Sequence, residues 1–375
     1  MGDGYGYNEN TCFFDRRKRC ASIRFWILMV FIYLSGVIFA SDVSGQNMEE
    51  KNVLPPMLQE QVTLTVRNLD STRGVMHYAG RILRYDRTGV EILTSERNRI
   101  ILMPEQIMRV DYQRSIPQRN AEEMYIQKNY KTAVMLFKEA REQERRPLVR
   151  AWLTEKIIRC YRNLEQPAEA VMEFLKLQES QPEMTDEMFS CIPLLWEPNI
   201  RDTVTAGKVA NIYREQRTGI TQLLYGSYML SSAERQKAIQ VLKAVSRGKD
   251  IRLATLAEAQ LWRVTEPGEL SEKITEWTKV LERIPVCMRG GPTFIMGRAW
   301  LQMDNKDMAV LEFLKVGTVY HQVDPFSADS FINAARILER EGQKEEARTV
   351  YRDILLKFPD TRAVLEAEKW LAENP

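Results

Sequence analysis

The stretch "EGQKEEARTVYRDILLKFP" (Glu341–Pro359) decides the fold. Glu341, Lys344, Glu345, Glu346, Arg348, Arg352, Asp353 and Lys357 crowd into it, so it reads either as a cluster of catalytic acids and bases or as the wet side of a helix. Its apolar residues argue for the helix. Ala347, Tyr351 and Ile354 follow one another at helical offsets and share one face, leaving the charges to solvent. Glu345 and Glu346 stand early and Lys357 late, the order that the helix dipole favours.

The same pattern recurs upstream. Ala133, Phe137 and Ala140 in "NYKTAVMLFKEA", Ala170, Phe174 and Leu177 in "QPAEAVMEFLKL", and Ala309, Phe313 and Val316 in "NKDMAVLEFLKV" repeat the offsets, and "RQKAIQVLKAV" adds Ala238, Leu242 and Val245. The long steps from Ala170 to Ala238 and from Ala238 to Ala309 each hide one degenerate unit of about 34 to 36 residues, centred near Thr205 and near Lys273, the latter with Trp277 and Val280. The spacing predicts seven helical pairs from Pro117 onward. Pro193, Pro198 and Gly207 interrupt the pattern between Thr185 and Arg217, which predicts a bend or an irregular pair. A last helix from about Thr361, capped by Asp360 or Thr361 with Val364, Trp370 and Leu371 inward, is expected to cover the final open face.

In these features the chain resembles the tetratricopeptide repeat family, most closely at Phe331, Ala334, Ala335, Leu338, Ala347, Tyr351, Ile354 and Pro359, with Pro182 and Gly226 also at family positions. The resemblance implies a superhelix whose concave wall is lined by the first helix of each pair, and a role in binding proteins or peptides. It places the ninth position of each unit on that wall: Arg159, Arg298 and Arg336, with Arg162, Gln302 and Arg340 nearby. Stacked guanidinium groups suit an acidic or carboxylate-ended partner, since arginine donates two hydrogen bonds to one carboxylate. The other reading of the six is a solvated surface.

Ahead of the helices the period changes to two. "QVTLTVRN" (Gln61–Asn68), "GVMHYAGRILRY" (Gly74–Tyr85), "GVEILTS" (Gly89–Ser95), "RIILM" (Arg99–Met103) and "IMRVDYQ" (Ile107–Gln113) predict five short strands, with "DRTG" as a turn and "PEQ" as a single helical turn. Gly80 in mid-strand marks a bend. The segment loosely resembles SH3-like and Sm-like barrels. It lacks the Asp and Asn constellation with which Sm proteins hold RNA, so a docking module is expected and nucleic acid is not.

"FWILMVFIYLSGVIFA" (Phe25–Ala40) carries no charge and follows Arg16, Arg17, Lys18, Arg19 and Arg24. Basic flanks before an apolar run keep the N-terminus inside and send the rest across, which predicts a membrane-anchored or secreted chain with everything after residue 40 extracytoplasmic. As a helix the run would span roughly 24 Å, which leaves a signal peptide and an uncleaved transmembrane anchor both open. The expected organisation is a basic leader (1–24), a transmembrane or signal segment (25–40), a polar linker (41–58), a small β-barrel (59–115) and a helical repeat domain (118–375).

A net charge of +2 offers no global attraction for polyanions. Two histidines, His77 and His321, and five cysteines without a CxxC leave little for metal sites or for His-dependent catalysis. No catalytic residue, metal or cofactor is expected. "MRGGPTF" (Met288–Phe294) lacks the Lys-Ser/Thr of a phosphate loop and reads as a turn, and the tryptophans at 152, 196, 262, 277 and 300 read as packing between repeats. The chain is therefore expected to be mainly α, a non-enzymatic adaptor of a bacterial-type cell envelope. Alternatives are a glycan-binding or enzyme-accessory protein, marked by aromatic platforms in the groove, and RNA binding through the barrel.

Overall fold

The structure is a computed structural model and describes residues 61–67, 74–197, 202–320 and 323–374. Five strands come first: β1 (Val62–Arg67), β2 (Val75–Asp86), β3 (Gly89–Thr94), β4 (Arg99–Leu102) and β5 (Ile107–Tyr112). They form one antiparallel sheet in the order β4-β3-β2-β1-β5. The period-two pattern sets its buried face, where Val62, Leu64, Val66, Val90, Ile92 and Leu102 pack together. Gly80 is required by close approach, since a Cβ there would lie 2.2 Å from the Leu93 carbonyl oxygen. Pro104–Gln106 forms the single 3-10 turn. No ladder joins β4 to β5 among the described residues, so in hydrogen bonding the expected barrel is an open five-stranded sheet with bulges in β5 and β2.

Helices follow in pairs: α1 (Ile116–Ile126) with α2 (Tyr130–Gln143), α3 (Pro147–Asn163) with α4 (Pro167–Ser180), a short α5 (Asp186–Phe189) before α6 (Thr203–Glu215), α7 (Gly219–Met229) with α8 (Arg235–Val245), α9 (Ile251–Leu261) with α10 (Leu270–Arg283), α11 (Gly290–Gln302) with α12 (Lys306–Thr318), and α13 (Asp324–Arg340) with α14 (Lys344–Lys357). α15 (Ala363–Glu373) closes the array. The register residues Ala133, Ala170, Thr205, Ala238, Ala309 and Ala347 are all buried in second helices. In α10 the buried position is Ile274 beside Trp277 and Val280; Lys273, the expected centre, is exposed.

Pairs at the two ends share one turn. Lys128, Glu165, Asp304 and Gly342 adopt φ of 60°, 55°, 58° and 76°, each two residues before a second helix. In each turn an amide reaches back five residues at 2.9 Å: Asn129 to Met124, Gln166 to Tyr161, Asn305 to Trp300 and Gln343 to Leu338. This satisfies a carbonyl that the helix end would otherwise leave bare. Neither Asp360 nor Thr361, the caps expected for α15, is used as such: Arg362 is its N-cap, and the Thr361 hydroxyl donates to the Phe358 carbonyl. Ala363, Ala367 and Trp370 face inward, with Trp370 stacked on Tyr351 at 4.6 Å.

Two sets of contacts tie distant parts together. Lys128 in the first turn meets Asp324 at the start of α13 (2.8 Å) and the Lys357 carbonyl at the end of α14 (3.2 Å). The Asn163 side chain accepts from the Asp324 amide at 3.0 Å, and Arg362 pairs with Glu165. The last pair thus returns to the first two. The sheet docks through Trp152 of α3, whose ring meets Tyr85 (5.6 Å) and Tyr112 (5.4 Å). Its β2–β3 turn adds a hydrogen bond from the Arg87 backbone N–H to the Glu183 carbonyl and ion pairs from Arg87 to Glu183 and Asp250.

Candidate functional site

The third pair lacks a long first helix. After α4, Thr185 caps the four-residue α5, and residues 190–197 then continue without regular structure, as the two prolines predict. Met184, Met188, Phe189, Cys191, Ile192 and Leu194 along this run are nonetheless buried. Local turn bonds from Cys191 to Met188, Ile192 to Phe189 and Leu194 to Ile192 pair some of its main-chain groups, and side chains supply further partners.

They come from three first helices, α3, α7 and α9, and from the turn that ends α9. Arg252 of α9 donates to the Met184 carbonyl (2.8 Å), Arg159 of α3 to the Glu187 carbonyl (3.4 Å) and the Ser190 hydroxyl (3.2 Å), and Arg162 to the Ser190 carbonyl (3.3 Å). Tyr228 of α7 donates to the Pro193 carbonyl at 2.9 Å. The Ser227 hydroxyl accepts from the Leu195 amide (2.9 Å) and donates to the Leu195 carbonyl (3.3 Å). Arg263, just past α9, donates to the Glu197 carbonyl at 3.4 Å. Trp196 lies against Gly291 of α11, where a Cβ would come within 2.0 Å of its ring. A residual cavity of about 40 Å³ remains beside the segment. The wall expected to receive a peptide therefore holds the chain's own residues 184–197.

The six arginine and glutamine candidates fall into three groups. Arg159 and Arg162 serve the internal segment; burial opposes the Arg159 charge, but Glu155 at 2.8 Å holds it above its ordinary value, whereas burial and then Arg159 push Arg162 down to about 10. Arg298 and Gln302 of α11 line a separate cavity of about 290 Å³ with Arg263, Trp262 and Trp277. Arg336 of α13 is exposed and makes two 2.6 Å bonds to Glu366, and Arg340 is exposed in the last turn of the same helix. Of the three ninth-position arginines, Arg159 is taken up by the chain's own Glu187 and Ser190.

Residues outside the repeat register also shape the site. Asp329 of α13 hydrogen-bonds Glu197; burial, then that neighbouring carboxyl, push Asp329 up to about 7, and burial raises Glu197 despite Arg298. Arg263 was hidden from sequence reasoning because it sits in the 3-10 turn Trp262–Val264, off the helical register. "MRGGPTF" is mostly the first turns of α11, not a turn between helices, with Gly291 admitting Trp196. Two tryptophans depart from packing between repeats: Trp152 packs on the sheet, and Trp196 belongs to no helix. Trp262 and Trp277 do stack, at 4.8 Å.

Burial pushes the thiols of Cys160, Cys191 and Cys287 up to about 12, which keeps them protonated at neutral pH. Among the described residues no group of three or more His, Cys, Asp and Glu side chains is placed to hold a metal ion, and no helix is long and apolar enough to cross a membrane. Phe25–Ala40, the expected membrane segment, and His321 lie outside the described residues.

Residues 329–361, from within α13 to the turn before the final helix, match the family model described as tetratricopeptide repeat. The last pair is therefore a repeat of that type, with Phe331, Ala347, Tyr351 and Ile354 in its core. No curated protein matches the chain. Among solved structures, the C-terminal part of a TPR repeat-containing protein from Cytophaga hutchinsonii is similar at 16% identity, covering 66% of this chain and 98% of that one, with a TM-score of 0.29.

Proposed function

We propose that the protein is a non-catalytic scaffold for protein partners, held at a membrane by its N-terminal segment with the sheet and helices on the extracytoplasmic side. The observation that carries the scaffold role is the tetratricopeptide repeat at 329–361, set in an array of similar pairs. The basic residues before Phe25–Ala40 support the membrane tether and its orientation. Partners dock on the exposed end of the array, where Arg336 and Arg340 suit acidic or carboxylate-bearing segments, and not on the wall that residues 184–197 cover.

Photo-crosslinking in intact cells tests this reading. A crosslinker in place of Arg340 is expected to trap protein adducts, and one in place of Arg159 is expected to trap the chain's own peptide around Ser190. Intermolecular adducts from Arg159 and none from Arg340 would reverse the docking surface. Fractionation of the full chain as a soluble cytosolic protein would remove the tether.

A further inference from the structure

We propose that the cavity between α8, the turn after α9 and α11 binds a small organic oxyanion, a ligand bearing carboxylate or phosphate groups. Arg235, Arg263 and Arg298 all line it, and no Asp or Glu does. Arg235 is exposed, but Arg263 and Arg298 are half-buried, where cationic groups lose hydration and repel each other unless a counter-charge is present.

The arginines are not equivalent. Arg263 is anchored: its terminal nitrogens donate to the Ser227 carbonyl (2.8 Å), the Gln260 side chain (2.7 Å) and the Glu197 carbonyl (3.4 Å). Its Nε is buried and has no hydrogen-bond partner among the described residues. Every one of its protein acceptors is neutral, so its charge stays uncompensated at contact distance. Burial, then Arg298, push the Arg263 guanidinium down to about 10, and burial lowers Arg298 as well. Glu197, the acid acting on Arg298, is itself bonded to Asp329 and lies outside the cavity wall. A bound oxyanion would neutralise Arg298 and Arg263 together.

Size and floor narrow the ligand. About 290 Å³ lies at the small end of the range for small-molecule sites and is too confined for a folded element. The buried, stacked Trp262 and Trp277 and Ile295 offer an apolar wall for a carbon skeleton, with Gln302 at the rim for a further polar group. The charge and the wall together fit a compact organic acid or phosphate ester.

Trp262 and Trp277 report on occupancy directly. The full-length chain labelled with ¹⁵N-tryptophan has seven indole N–H signals, few enough to resolve. It is titrated with sodium citrate and with sodium phosphate against sodium chloride at matched ionic strength. Saturable shifts of the Trp262 and Trp277 signals are expected with an oxyanion and not with chloride, and Arg298→Gln is expected to weaken them at least about tenfold by removing one charge-assisted contact. Arg298 is not part of the Arg263 anchor, so this variant should retain the wild-type melting temperature. Tighter binding of citrate assigns a polycarboxylate and tighter binding of phosphate a phosphate ester. Shifts that follow ionic strength alone, or that persist undiminished in Arg298→Gln, overturn the proposal. No protein partner enters the assay, so its failure and that of the scaffold reading are separate outcomes.

Discussion

Asp329 shows how one side chain reports on its surroundings. An ionised aspartate beside Glu197 would place two negative charges together in a partly desolvated site, so the folded chain keeps the proton to about pH 7. A raised carboxyl pKa means that the native state binds more protons than the unfolded state between the unfolded value near 3.9 and about 7. Stability from this group is then present at low pH and lost as pH rises through that window. Asp329→Asn should flatten the pH dependence of the melting temperature across the window and melt above the wild type at pH 8. A variant that melts below the wild type at pH 8 would show that the carboxylate is compensated. Nothing in the sequence pairs residue 197 with residue 329, since their proximity comes from tertiary return of the chain.

At the scale of elements, the repeats were legible and the segment between them was not. The spacing of Ala133, Ala170, Ala238, Ala309 and Ala347 located five second helices, because a small residue that must admit a neighbouring helix is a sharp local signal. Thr205 located a sixth, whereas Lys273 missed its buried position by one residue because Ile274 replaces the small residue. Pro193 and Pro198 announced a broken helix. They could not announce that Ile192, Leu194 and Trp196 would turn inward, because an extended buried run has no helical period and depends on donors from residues as distant as Arg252. The register rule found Arg159, but not its acceptors at Glu187 and Ser190 on the same chain. Gly291→Ala tests the packing of this run: its Cβ collides with a rigid ring, and the expected loss is about 1–3 kcal/mol in denaturant unfolding. Gly207→Ala, on an open face of α6, should instead gain about 0.5–1 kcal/mol. Equal effects of the two substitutions would remove Trp196 from the α11 surface.

Across the whole molecule, the array is held by contacts that no nearest-neighbour stacking requires. A simple solenoid shares stability only between adjacent units. Here Lys128 and Asn163 in the first two pairs bind Asp324 in the last, while Arg87 on the sheet reaches Glu183 and Asp250. Such closure fixes the first-helix wall around residues 184–197. Zero-length carbodiimide coupling tests the closure most directly, because it joins an amine and a carboxylate already in contact. In monomeric full-length protein, mass spectrometry of the digest should show Lys128 joined to Asp324, 2.8 Å apart, alongside Lys306 joined to Glu341 of the neighbouring pair, 2.7 Å apart. Recovery of the Lys306–Glu341 product without the Lys128–Asp324 product would contradict an array that returns to its own beginning.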